Sequence, residues 1–197
     1  MSPRIAVEEQ QEVRKAELIR ATFQEVSEKG FSDTTLEDIA QRAGVSKGVL
    51  LYYFRSKEDL FLSAFKHSIL MLRDRLRQTI ATVSDPVEKV RAIVRTSFVS
   101  AKANRKFYQA YLDLLSMGTR QEAFKQLNAR FYENCIAMDE EIIAEGVRRG
   151  LFRPQADAGV LRAIVDGLML QWLFDENSSF EDYQRRCEVA LLRYLQG

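Results

Sequence analysis

Lys47, Tyr52, Tyr53 and Lys57 fall within one short stretch and carry chemistry that a folded core has little use for. A lysine ammonium donates to guanine O6 and N7. A tyrosine hydroxyl bonds phosphate oxygens, which fixes register without reading sequence. Gly48, next to Lys47, lets a backbone approach a ligand closely. From Asp38 to Glu58 the chain holds Arg42, Lys47, Arg55 and Lys57 and no acidic residue between them, although its totals of 29 Lys and Arg against 28 Asp and Glu nearly cancel. Such a positive island is what a phosphate-facing surface requires. The residues for catalysis are missing by comparison. The only histidine, His67, has Ala64 three residues before it, so the Glu-x-x-His pairs of a di-metal carboxylate bundle are absent and His67 reads as an ordinary surface or boundary residue. The chain has no Gly-x-Ser-x-Gly, no phosphate-binding Gly-x-x-x-x-Gly-Lys, no Gly-x-Gly-x-x-Gly and no His-Glu-x-x-His. The run Asp139-Glu140-Glu141 reads as a solvated helix face. These residues call for no catalysis, no cofactor and no metal.

The elements that position the cationic stretch can be read from their caps. Thr35 precedes an apolar-periodic run and has Asp38 three residues on, the pattern of a reciprocally capped helix start. Leu36, Ile39, Ala40 and Ala43 follow helical spacing. Gly44 stops that helix and Val45 docks beneath the turn. Ser46 caps a second helix in which Leu50 and Phe54 point inward, leaving Lys47, Gly48, Val49, Leu51 and Tyr52 outside. Helix, glycine turn, helix at this spacing is a helix-turn-helix unit, whose second helix enters a DNA major groove.

The segment LEDIAQRAGVSKG (Leu36 to Gly48), the triplet Tyr52-Tyr53-Phe54 and SKEDLF (Ser56 to Phe61), with Lys15 to Phe23 and Gly30-Phe31 upstream, resembles the N-terminal domain of the TetR family of bacterial transcriptional regulators. The resemblance covers the first third of the chain closely. It implies that the positions of Thr35, Ser46, Lys47, Gly48, Val49, Leu51, Tyr52, Tyr53 and Lys57 contact DNA, with Lys57 and the first N–H groups of helix four forming a phosphate clamp. Two positions depart from the family's pattern: Leu51 replaces a usual aromatic and Val49 a usual hydroxyl or amide. Either both make apolar contacts, as with thymine methyls, or both pack on neighbouring helices.

The resemblance also implies an all-α fold. Residues 9–57, continuing into helix four to about 71, form a three-helix DNA-binding domain. Residues 72–197 form a helical bundle for effector binding and dimerisation. Periodicity places nine helices: one from Glu9 to Lys29, the two of the helix-turn-helix, a long fourth after Ser56, a fifth from Pro86 to about Ala103 and a sixth from about Lys106 to Met117. Helix seven is capped by Thr119 and runs to Arg149, helix eight ends near Phe174, and helix nine closes the chain. Aromatic residues are frequent from helix four onward. Phe65, Phe98, Tyr111, Phe131 and Trp172 are the candidates for a pocket taking a small lipophilic or aromatic effector, with plain core packing as the alternative for each. Trp172 sits in the apolar stretch GLMLQWLF, and helix nine offers Val189, Leu192 and Leu195. Two such helices from each of two chains make a four-helix dimer seam.

Cys135 and Cys187 are too few for a secreted disulfide framework, and no apolar run reaches membrane-spanning length. The expected protein is a cytoplasmic homodimeric repressor on a palindromic, double-stranded operator. An effector that tilts helix four would change the spacing of the two recognition helices. The alternative is a DNA-bound architectural protein of the same fold without an effector, which a filled second domain would favour.

Overall fold

The computed structural model describes residues 3–197, with side chains described from residue 9 onward. Among the described residues the chain forms nine α-helices and no strand: α1 (Pro3–Lys29), α2 (Leu36–Arg42), α3 (Lys47–Tyr53), α4 (Lys57–Ala81), α5 (Pro86–Ser97), α6 (Ala101–Gly118), α7 (Glu122–Arg148), α8 (Ala158–Phe174) and α9 (Phe180–Gln196). Two compact units result. The first takes residues up to Ile69 together with Gln109–Asn128, and the second takes Leu70–Tyr108 and Ala129–Gly197.

In the first unit, Leu18, Ala21, Ile39, Ala40, Leu50, Phe54 and Leu60 form one buried cluster drawn from α1 to α4. α2 opens with the reciprocal cap its sequence announces: the Thr35 hydroxyl accepts from the Asp38 N–H and the Asp38 carboxylate accepts from the Thr35 N–H. The turn after α2 needs a left-handed residue, and Gly44 supplies it with φ of 66°. That lets the Val45 N–H reach back to the Ala40 carbonyl at 2.9 Å. α1 begins at Pro3, earlier than the expected Glu9, since proline fits a helix's first turn without losing a bond.

In the second unit, α5 ends at Ser97, not near Ala103. The reason is Asn104, whose side-chain oxygen accepts from the Val99 and Ser100 N–H groups while its amide donates to the Ser97 carbonyl. That satisfies both the loose end of α5 and the start of α6. The expected cap at Thr119 is also absent. Its hydroxyl donates back to the Ser116 carbonyl, so Thr119 finishes the preceding turn, and α7 starts at Glu122. α8 and α9 are capped by Asp157 and by a Ser179–Asp182 reciprocal pair. Close packing at the end of α7 requires Gly146, because a Cβ there would lie 1.9 Å from the Phe152 ring. Leu195, expected at a subunit seam, is fully buried within its own chain with Leu161, Leu191 and Met169.

Candidate nucleic-acid interface and buried charge cluster

α3 buries Leu50 in the head, packs Tyr53 against the same core and turns the rest outward. Ser46 caps it by accepting from the Val49 N–H at 3.3 Å, so its hydroxyl fixes the helix start. Lys47, Gly48, Val49, Leu51 and Tyr52 are exposed, with Tyr52 at 73%. Tyr53 packs against the head's core and takes the Tyr52 ring edge-on at 5.0 Å. Thr35 lies at the start of α2, its hydroxyl donating to Asp38 at 2.6 Å. Together with Lys29, that hydroxyl holds the Asp38 carboxyl far below the usual carboxylate range.

The positive island is narrower in the fold than along the chain. Arg42 is held by Glu25 and Glu28, each at 2.6 Å, and Lys47 by Glu37 at 2.6 Å. Lys47 in turn lowers the Glu37 carboxyl. These carboxylates lie outside the acid-free stretch, so a linear count does not see them. Lys57 is half-buried, and its ammonium donates to the carbonyls of Phe31 at 2.8 Å and Thr34 at 2.9 Å while sitting 4.3 Å from the Phe31 ring centre. It therefore ties the start of α4 to the α1–α2 turn. Asp113 of α6 accepts from the Phe31 N–H at 2.8 Å and secures the same turn from the other side. Glu37, Phe31 and Asp113 escaped the sequence reading. Of the three, only Phe31 is singled out there, in the Gly30-Phe31 pair, and without a role; Glu37 stands ten residues before Lys47, too far along the chain to announce the pair.

The five aromatic candidates are all buried. Phe65 and Tyr111 belong to the first unit and stack at 5.8 Å, the Tyr111 hydroxyl bonding Asn128 at 3.0 Å. Phe98 and Trp172, in the second unit, both pack on Phe180, and Phe131 lies beside Tyr132. An open groove of about 660 Å³ runs past Trp172, Arg105, Phe174 and Glu181. The Arg105 guanidinium covers the Trp172 ring there at 5.1 Å.

Deeper in the second unit lies a group of charges, among them Asp139, which is fully buried and not on the solvated helix face expected for it. Arg162 of α8 donates to one oxygen of Asp139 on α7 at 2.5 and 3.1 Å, both side chains being buried. One turn on, Asp166 accepts from the Tyr108 hydroxyl at 3.4 Å. Burial pushes the Asp139 carboxyl up to about 6, and it raises Asp166 as well. Asp139 Oδ1 and Asp166 Oδ2 are both buried without a hydrogen-bond partner. Two carboxylates thus face one guanidinium, with Tyr108, Cys135 and Tyr132, which also hydrogen-bonds the Asp166 carboxylate, beside them. Burial also holds the Cys135 and Cys187 thiols up, at about 11 and about 12, which keeps both protonated and unreactive.

Among the described residues no helix is long and apolar enough to cross a membrane, and no cluster of three or more His, Cys, Asp or Glu side chains is arranged to hold a metal ion.

Residues 18–64 match the family profile of bacterial regulatory proteins of the tetR family, and residues 86–196 match that of the BetI-type transcriptional repressor C-terminal region. The sequence is 31% identical over 168 residues to the HTH-type transcriptional regulator BetI 1 of Chromohalobacter salexigens, covering 82% of this chain and 79% of the relative. Among solved structures, a transcriptional regulator from Saccharomonospora viridis in complex with choline superposes with a TM-score of 0.87 at 21% identity, covering 95% of this chain and 99% of that one. FadR from Bacillus subtilis in complex with stearoyl-CoA gives 0.75 at 20% identity, covering 91% and 98%. At such identities the two structures speak for the fold.

Proposed function

The chain belongs to the TetR family of bacterial regulatory proteins, and from that premise we propose that it is a cytoplasmic, homodimeric repressor that leaves its operator on binding a small molecule. Residues 72–197 serve as the effector and dimerisation domain, and the head reads the palindromic operator. The observation that carries the reading is a recognition helix held by one buried leucine and a serine cap, with Lys47, Val49, Leu51 and Tyr52 facing water. A helix anchored so lightly and exposing so much is built to be covered by a partner. Val160 and Phe174 on α8 and Val189 on α9 are exposed at 42%, 74% and 47%, and these supply the seam between two copies. Band shifts on fragments from upstream of its own coding sequence test the reading. Retardation at two protomers per site is expected, and Lys47→Ala should cost about 1–3 kcal/mol of specific binding. A monomer that retards no such fragment in dilute buffer overturns it.

The effector we infer is an organic cation, in place of the lipophilic or aromatic molecule that ring counting suggests. The two partnerless carboxylate oxygens of Asp139 and Asp166 support this, since a buried excess of negative charge is costly until a cation joins it. Tyr108, whose hydroxyl donates to Asp166, adds a buried aromatic ring to the same neighbourhood. The complex of the Saccharomonospora viridis protein with choline is in keeping with that chemistry. Titration with choline and with dimethylbutanol, its neutral carbon isostere, separates the two readings. Choline alone should raise the thermal midpoint and release DNA, and Asp166→Asn should abolish both effects while leaving operator binding intact. Equal responses to the two probes would return the effector to the lipophilic class.

A further inference from the structure

We infer that the recognition helix selects its operator through the C5-methyl groups of pyrimidines, read by Leu51 and Val49. The inference rests on the regulator reading above and concerns what that same helix recognises. Val49 and Leu51 leave 38% and 44% of their surfaces in water, so each keeps apolar surface that the rest of the protein does not cover. At about 100° per residue, Gly48 and Tyr52 lie at the centre of the outer face, Leu51 flanks them on the Lys47 side and Val49 flanks them on the other. A side chain at Gly48 would meet only the Ser46 hydroxyl, at 3.7 Å, so the first turn of the face is open beside Val49 and Leu51, with the exposed Tyr52 one turn on.

Three of the polar groups nearby are already engaged. The Ser46 hydroxyl caps the helix, the Thr35 hydroxyl is bound to Asp38, and the Lys47 ammonium lies on Glu37. Lys47 can leave its exposed partner for a base or a phosphate, but Leu51 and Val49 have no polar side-chain atom to offer. Base edges in the major groove present donors and acceptors, with one apolar exception: the methyl at C5 of thymine. That methyl is the only base feature complementary to two aliphatic side chains on the groove-facing surface. 5-Methylcytosine carries the same group at the same place, so the chemistry recognised is the C5-methyl, whichever base bears it.

The test begins with selection of a bound duplex from a random library by the full-length protein. Thymines of the selected operator are then replaced one at a time by deoxyuridine, which removes the methyl and leaves every hydrogen-bonding group. In a parallel series each cytosine is replaced by 5-methylcytosine. At one or two positions in each half-site, loss of the methyl should weaken binding roughly four-fold, the value of one buried apolar carbon. Leu51→Ala should erase the sensitivity at one such position and Val49→Ala at another. Both residues are exposed, so the variants should keep the wild-type thermal midpoint. If deoxyuridine has no effect but a 5-methylcytosine strengthens binding in a Leu51-dependent way, the methyl reading stands with modified cytosine as its source. Wild-type protein binding every form equally would overturn the inference while leaving the regulator reading intact. A library that yields no bound duplex overturns that reading, and this inference with it.

Discussion

Lys47 and Glu37 meet with 48% and 64% of their side chains in water, whereas Arg162 and Asp139 meet with 6% and 0%. The two pairs differ little in distance, at 2.6 and 2.5 Å, and greatly in consequence. An exposed pair is screened and easily exchanged for another partner, so on the proposed interface Lys47 is free to leave Glu37 for a phosphate or a base. A buried pair has surrendered its hydration, and the surrounding structure must supply everything water would have given. The head thus keeps its charges ready to be exchanged, while the bundle commits its own to one arrangement with an unsatisfied remainder.

The largest effect should come from removing the buried cation. Arg162→Met leaves Asp139 and Asp166 facing each other without a counter-charge, and breaking such a pair costs about 3–5 kcal/mol. The loss should depend on pH in a definite direction. Burial already raises Asp139 from 3.8 to about 6 with the arginine present, and without it both acids should rise further. An acid whose folded pKa lies above its unfolded one favours folding while protonated, and that contribution fades as pH rises through the folded value. Urea melts across the pH range should therefore show the variant closest to wild type in acid and furthest from it above pH 6. A gap that widens toward acid would mean that losing the guanidinium does not raise the Asp139 carboxyl, so that Arg162 does not stabilise its charged form.

Next in size is Lys57→Met. Its ammonium holds two backbone carbonyls of the α1–α2 turn, and bonds from a charged donor contribute about 1.5–3 kcal/mol. The change should lower the thermal midpoint and weaken operator binding through a loosened turn, with the salt dependence little altered. A marked flattening of the salt slope with no loss of stability would show instead that Lys57 neutralises a phosphate.

These two residues mark what a linear reading can and cannot supply. The head was legible because its signals are local: Thr35 with Asp38, Gly44, and Ser46 before a helix lie within a few residues of the groups they satisfy. Lys57 was placed correctly at a helix start, but its partners lie on a turn that the third dimension brings beside it. The acid-free island misled for the same reason, since Glu25 and Glu28 reach Arg42 from α1. In the bundle, long amphipathic runs gave the helices but not their ends. Asn104, a residue with no strong positional signal, cuts α5 short from seven residues away by bonding Ser97. Arg162 and Asp166 carry no local signal, and only packing shows that they meet Asp139 and Tyr108.

Smaller again is the cap at the start of α3. Ser46→Ala removes the acceptor for the Val49 N–H and should cost about 1 kcal/mol in urea melts. Because α3 buries only Leu50, much of that cost should fall on α3 itself, seen as faster amide exchange there than in α2. Uniform acceleration across the head would show that the three helices open as one.

The smallest change in stability, and the most informative about the interface, is expected for Glu37→Gln. An exposed ion pair adds little to folding, so the thermal midpoint should not move. Its effect belongs to the encounter with DNA. In the free protein Glu37 holds the Lys47 ammonium, and on the complex it presents a carboxylate beside the phosphates. Neutralising it frees one cation and removes one repulsion, so affinity should rise for operator and unrelated duplexes together and specificity should fall. Lys47 lowers the Glu37 carboxyl from its ordinary range, so Glu37 is a carboxylate at neutral pH and the gain should be present there. Anisotropy titrations with operator and scrambled duplexes measure both terms. If affinity for the scrambled duplex stays fixed while the operator's falls, Glu37 is itself reading a base, and its carboxylate, an acceptor suited to cytosine N4, joins Leu51 and Val49 in setting the sequence.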